Sequence, residues 1–115
     1  PPRSTLFPYT TLFRSEQVFI NLLLNAIHAV QENENPIITL TASPNSNGRV
    51  SIEFADNGYG IKPDILDKIF MPFFTSKKDG SGIGLSLSRQ IMHLHKGTIT
   101  VKSVPGEGSV FTLTF

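Results

Sequence analysis

The spacing of hydrophobic and polar positions changes along this chain in a way that marks out its elements. From Glu16 to about Gln31, Val18, Phe19, Ile20, Leu22, Leu23, Leu24, Ala26, Ile27, Ala29 and Val30 cover most of a helical circumference, which predicts a helix buried on nearly all sides. Its polar residues are confined. At about 100° per residue, Gln17, Asn21, Asn25 and His28 fall within an arc of ~80°. Glu32 to Pro36 is a polar break, and Ile37 to Ala42 is rich in β-formers. Ser43-Pro44-Asn45-Ser46-Asn47-Gly48 is a turn by composition, so this strand should pair with Arg49 to Asp56 as an antiparallel hairpin. In that second strand Val50, Ile52 and Phe54 share one face, and period two puts Asp56 on the same inward side.

Beyond Gly60, Lys62-Pro63-Asp64 opens a short helix through about Ile69, with the proline near its first turn. Phe70 to Asp79 mixes aromatics, a proline and two lysines without a period, as suits a mobile lid that packs its aromatics when closed and offers ammonium groups to an anion. Gly80-Ser81-Gly82-Ile83-Gly84-Leu85 runs into a helix with an apolar stripe of Ile83, Leu87, Ile91 and Leu94, closed by Lys96 and by Gly97 as the residue after the cap. Thr98 to Ser103 and Ser109 to Phe115 form a last hairpin around Pro105-Gly106, the signature of a type II turn. Together these elements predict a two-layer α/β sandwich, a mixed and mostly antiparallel sheet with helices on one face and a wetter opposite face.

Residues 1–15 break this pattern. Thr5 to Ser15 repeats Thr-Leu-Phe, has no helical period and contains a proline that interrupts a strand. The segment resembles the translation of a common sequencing-library adapter read in frame, so we set 1–15 aside as a non-native leader and take 16–115 as the domain. Without Arg3 and Arg14, eight basic side chains face nine acidic ones, a net charge of −1 in place of +1. Neither value calls for nucleic acid or an anionic membrane. The 115 residues, 39% of them hydrophobic, suffice for one domain with a core. There is no cysteine, hence no disulfide framework and no thiolate metal site. No apolar run approaches the roughly 18 residues of a membrane span.

Candidate chemistry gathers at three places. Asp56 ends its strand as a carboxylate aimed at the core, and Gly58 and Gly60 remove side chains where the backbone would approach a flat ligand. We read this stretch as an adenine pocket. Two amides one turn apart, Asn21 and Asn25, exceed what a single structurally satisfied core asparagine explains. An Asn oxygen is a neutral, hard donor suited to Mg²⁺ that already carries phosphates. Glycines just before a helix expose N–H groups to a phosphate, and the helix dipole favours its charge. Their Gly-x-Gly-x-Gly spacing fits neither the Rossmann nor the Walker A pattern.

Four boxes therefore stand in order: Gln17 to Asn25 with Ala26, Asp56 to Ile61, Phe70 to Phe74, and Gly80 to Leu85, followed by Gly106-Glu107-Gly108-Ser109-Val110-Phe111. This arrangement resembles the ATP-binding catalytic domain of two-component sensor histidine kinases, within the GHKL superfamily of gyrase, heat-shock chaperone, histidine kinase and mismatch-repair ATPases. The resemblance covers 16–115. Pro72-Phe73-Phe74-Thr75-Ser76-Lys77 and Gly82-Ile83-Gly84-Leu85-Ser86-Leu87 favour the histidine kinase branch.

The resemblance implies a Bergerat-type sandwich that binds ATP and Mg²⁺. In it Asp56 accepts a hydrogen bond from the adenine 6-amino group, Gly58, Gly60 and Ile61 close on the base, and Asn25 is the Mg²⁺ ligand with Asn21 beside the phosphates. His28 and Lys77 are implied phosphate contacts, and Gly80, Gly82, Ile83, Gly84 and Leu85 the phosphate cradle. The γ-phosphoryl passes to a histidine on a separate dimerisation domain, and a response regulator is served indirectly; no nucleic acid and no membrane contact are implied for this domain, whose place is cytoplasmic. None of His28, His93 and His95 resembles that acceptor, and the sheet's native N-terminal strand looks truncated. We expect no catalytic acceptor in this chain, and no autophosphorylation by it alone. A protein-serine kinase that regulates a sigma factor, or a non-catalytic ATP-sensing module, would share this fold.

Overall fold

The computed structural model describes residues 3–74 and 84–115, with side chains of the first helix from Ser15 onward. Lys77, Gly80, Gly82 and Ile83, all named above, lie outside the described residues. The elements are α1 (Arg3–Val30), β1 (Ile38–Pro44), β2 (Val50–Asp56), α2 (Pro63–Leu66), α3 (Gly84–Leu94), β3 (Thr98–Val104) and β4 (Gly108–Thr114).

The strands form one sheet in the order β1-β2-β4-β3, and every described pairing is antiparallel, so the parallel component expected of a mixed sheet is not found among the described residues. Phe111 of β4 sits opposite Phe54 of β2 and Val101 of β3, and Leu113 opposite Ile52 and Ile99. These rows, with period two, give the sheet its apolar face. Val18 and Leu22 of α1, Ile91 and Met92 of α3, and Ile69 complete the core above it. Phe19 meets Phe54 edge to face, with ring centroids 5.5 Å apart. The alternate positions Glu53, Thr98, Thr100 and Lys102 are exposed, which makes the far face polar.

Five local expectations need correction. The first helix starts at Arg3, well before Glu16. Extending an existing helix fixes one residue per added hydrogen bond, so a helix can propagate back through a segment without periodicity, although Pro8, past the first turn, is unfavourable there beyond the bond it forfeits. That helix is also not buried all round. Val18, Leu22, Ala26 and Val30 form one buried stripe, while Ile20, Leu24 and Ile27 are about half exposed. The sheet and α3 cover a single side, and apolar content alone does not say how many neighbours a helix has.

On α3 the buried residues are Ser88, Ile91 and Met92, whereas Leu94, expected on the apolar stripe, is 61% exposed. The stripe is rotated because Asn21 on α1 faces Ser88 with a polar partner. The end of α3 differs too. Lys96, not Gly97, takes the left-handed conformation, at φ 58°. Lys96 N–H donates to the His93 carbonyl at 3.0 Å and Gly97 N–H to the Met92 carbonyl at 2.8 Å, the Schellman pattern with Lys96 as the residue after the cap. Gly97 is glycine because a Cβ there would run into the Thr114 carbonyl and the Met92 methyl.

The helix after Gly60 ends at Leu66 rather than near Ile69. Amides of Lys68, Met71 and Phe74 each donate to the carbonyl three residues back, a run of tight turns that still delivers Ile69 to the core. Phe70 and Phe74 pack against that core, Phe70 under the Arg89 guanidinium at 5.6 Å, while Phe73 is 77% exposed at φ 67°. The rest of the expected lid lies outside the described residues. Among the described residues no helix is long and apolar enough to cross a membrane.

Candidate nucleotide site

Asp56 is the last residue of β2, opposite Ile38 of β1 and Ser109 of β4. Its Oδ1 accepts the Gly58 N–H at 2.9 Å, an Asx turn that starts the corner, and the Ser109 N–H also donates to the carboxylate. The group is half-buried. Burial pushes its pKa above the ordinary 3.8, against the two backbone hydrogen bonds, which favour the charged form.

The corner after Asp56 is gripped from three sides. At Gly58 a Cβ would collide with the Ala29 carbonyl of α1, and the next amide, Tyr59 N–H, donates to that carbonyl at 3.2 Å. At Gly60, φ is 74° and a Cβ would strike the Val104 carbonyl of the β3–β4 turn. From that turn Gly106 N–H reaches the Tyr59 carbonyl at 2.8 Å, and Ser103 Oγ accepts the Ile61 N–H at 2.7 Å. On the third side Asn57 is tied to the α1–β1 connection. Its Oδ1 accepts Ile37 N–H at 2.8 Å, its Nδ2 donates to the Asn35 carbonyl at 2.8 Å, and its own carbonyl accepts Asn33 Nδ2 at 2.6 Å. The two glycines are thus required by neighbouring backbone, a different reason from the close approach to a flat ligand inferred from sequence.

The polar stripe of α1 divides its labour. Asn21 Nδ2 lies 3.3 Å from both the Gly84 carbonyl and Ser88 Oγ, and Ser88 Oγ donates back to the Gly84 carbonyl at 2.8 Å. That seam fastens the start of α3 to the middle of α1. Asn25 is half-buried one turn further on. His28 is exposed and, with Gln31, Glu32 and Tyr59, lines an open depression of about 240 Å³. Ile61 and Leu85 are partly buried against the core.

The structure therefore brings Asp56, Gly58, Gly60 and Ile61 together at one end of β2, His28 beside Tyr59, and Asn21 beside Gly84. Sequence patterning misses Asn33, Ser88, Ser103 and Ser109. Asn57-Gly58 was a usable signal, since an Asn before a tight corner commonly bonds neighbouring backbone; the serines carry none. Among the described residues no group of three His, Asp or Glu side chains could hold a metal ion.

Residues 12–115 match the model of the histidine kinase-, DNA gyrase B- and HSP90-like ATPases. The chain is similar to the sensor histidine kinase ZraS of Salmonella typhi, 47% identical over 100 residues, which are 87% of this chain and 21% of that protein. It is 44% identical over 98 residues to the signal transduction histidine-protein kinase AtoS of Escherichia coli K12, covering 85% of this chain and 16% of AtoS. Among solved structures, the catalytic domain of histidine kinase ThkA superposes with a TM-score of 0.76 at 36% identity, over 90% of this chain and 66% of that one. Full-length ShkA in complex with AMPPNP gives 0.72 at 33%, over 88% of this chain and 21% of ShkA. The chain spans about a fifth of the length of the ZraS proteins it matches. With its open antiparallel sheet, helices on one face and carboxylate-ended central strand, the chain belongs to the histidine kinase-, DNA gyrase B- and HSP90-like ATPase family.

Proposed function

We propose that this chain binds ATP, with Asp56 reading the adenine, and that it is the catalytic end of a sensor histidine kinase. The observation that carries the reading is the Asp56 carboxylate. Two backbone N–H groups occupy it, and an ionised carboxylate has about four acceptor sites. Capacity remains for a donor such as the adenine 6-amino group. Guanine presents a carbonyl oxygen there, which would face a carboxylate without a shared proton, so selection includes a repulsive element. Relatives named as sensor histidine kinases favour that branch over the serine-kinase and ATP-sensing alternatives.

Asn25 is the residue proposed to meet Mg²⁺. One neutral amide oxygen, with no acidic cluster among the described residues, fits a metal that arrives coordinated by the triphosphate and not one held by the protein alone. When bound, the ion neutralises phosphate charge. Asn21 and Gly84, fastened to one another, would fix the spacing between α1 and the start of the phosphate cradle, and His28 with Lys77 would add donors. The acceptor histidine belongs to a separate dimerisation domain, with a response regulator downstream. A ring nitrogen of that histidine would replace the β-phosphate oxygen at the γ-phosphorus, and ADP would leave. The protein's part is positioning and charge neutralisation.

Calorimetric titration of ATP and GTP, each with Mg²⁺, into the chain and its Asp56→Asn variant tests this. The expected result is preference for ATP and a roughly 10- to 100-fold loss of ATP affinity in the variant, the range for one hydrogen bond to a charged group. Equal affinity for both nucleotides, or an unaffected variant, would remove the adenine assignment.

A further inference from the structure

The α1–β1 connection reads from sequence as a polar break, yet it holds the peptide on which Asp56 leans. Asn33 Nδ2 donates to the carbonyl of Asn57 at 2.6 Å, while the N–H at the other end of that same peptide group, on Gly58, donates to Asp56 Oδ1 at 2.9 Å. The result is a continuous chain from amide to peptide to carboxylate, in which each bond polarises the next. Asn33 is itself fixed, because its Oδ1 accepts the Asn35 N–H at 2.9 Å. Asn57 closes the frame through Ile37 N–H, the Asn35 carbonyl and its own N–H to the Ile37 carbonyl at 3.2 Å. The Asn57–Gly58 plane can rotate only by breaking bonds at both ends.

We propose that Asn33 is a positioning residue for base recognition, acting through the Asn57–Gly58 peptide to orient the Asp56 carboxylate. This rests on the reading of Asp56 as the adenine acceptor. Asn33 touches no nucleotide. Its contribution is to keep the Gly58 N–H on one carboxylate oxygen, so that the remaining acceptor positions face a single direction. Without it, the Ser109 N–H is left as the firmer hold on the carboxylate, which then has more freedom to turn and discriminates less well between an amino group and a carbonyl.

Two substitutions separate this from a general structural role. Asn33→Ala removes the side chain, whereas Asn33→Asp keeps an oxygen for the Asn35 N–H and replaces the donor to the Asn57 carbonyl by a charged oxygen that repels it. Both are measured in the chain as it stands, by ATP and GTP titration, thermal unfolding and the Gly58 amide proton resonance. In each variant ATP affinity is expected to fall roughly 3- to 10-fold, as for one neutral hydrogen bond. The ATP-to-GTP ratio should fall with it, and the Gly58 amide should move upfield and exchange faster. A purely structural loop would lower Tm and weaken both nucleotides alike, leaving the ratio unchanged, and that result overturns the inference. Asp56→Asn is the control. If it changes the ratio and the Asn33 variants do not, the positioning role alone fails; if it does not, the adenine reading fails and this inference with it.

Discussion

The Asp56 corner and the α1–α3 seam are both candidate nucleotide contacts, and they are built on opposite plans. At the corner, main-chain groups of Ala29, Val104, Gly106 and Ile37 join the side chains of Asn33, Asn57 and Ser103 in a many-bonded frame, and the glycines leave no room for a Cβ. At the seam one amide, Asn21, spans two acceptors at 3.3 Å each, and among the described residues a Cβ on Gly84 would meet the Asn21 side chain, at an ordinary 3.8 Å. Such a frame cannot change shape without losing several bonds together, while a single side-chain bridge can turn about its own dihedrals. A corner with so many bonds suits the fixed, flat base proposed for it, whereas the seam fastens α1 to α3 through fewer and longer bonds.

The largest expected contrast comes from adding one methyl group to each region. Gly58→Ala forces a Cβ into the Ala29 carbonyl and should cost about 3 kcal/mol or more, enough to unfold a marginal domain. Gly84→Ala should stay within about 1 kcal/mol and can be stabilising, since alanine loses less entropy in a helix. Urea unfolding of the pair measures both, and similar losses would erase the distinction.

A smaller effect tests the corner's electrostatics. The folded-state pKa of Asp56 is raised from 3.8, so the protonated carboxyl is the form the fold favours. Its contribution is present below about 3.8 and is lost as pH rises through the folded value. Asp56→Asn, neutral throughout, should gain stability relative to the unsubstituted chain over that rise while losing ATP affinity. A constant difference across the pH series would mean that burial does not penalise this charge. An adenine amino group stabilises the ionised form, so ATP affinity should also weaken as pH falls through the same window.

The smallest effect belongs to the seam. Ser88 is fully buried, and Ser88→Ala deletes its bonds to Gly84 and Asn21 with little change of volume, at an expected cost of about 1 kcal/mol. Nucleotide binding should survive it. Loss of ATP affinity comparable to that of Asp56→Asn would show the seam to be as rigid as the corner.

These contrasts also explain what was legible in the sequence. Period two put Asp56 on the same side as Phe54, and Pro105-Gly106 marked its turn, with Gly106 at φ 81° and Glu107 N–H on the Val104 carbonyl at 3.0 Å. Such features are set by a few adjacent residues. Gly58 and Gly60 stood out as glycines, but the carbonyls that require them come from α1 and the β3–β4 turn, and no local pattern announces a neighbour so far along the chain. The same holds for Leu94. A helix records which residues are apolar, not which side α1 will take, and the polar Ser88 is buried because Asn21 meets it.

The asparagine frame has a consequence for the chemical lifetime of the protein. An Asn-Gly pair ages when the glycine nitrogen attacks the side-chain carbonyl, expels ammonia and leaves a succinimide that water opens to aspartate or isoaspartate. The chain has two such pairs, Asn47-Gly48 and Asn57-Gly58. The first lies on an exposed hairpin turn with open space around Gly48. In the second the attacking nitrogen is committed to Asp56 and the side chain is bonded at both ends. Deamidation at Asn57 therefore requires the corner to open, and its accumulation records how long that corner has spent unlatched.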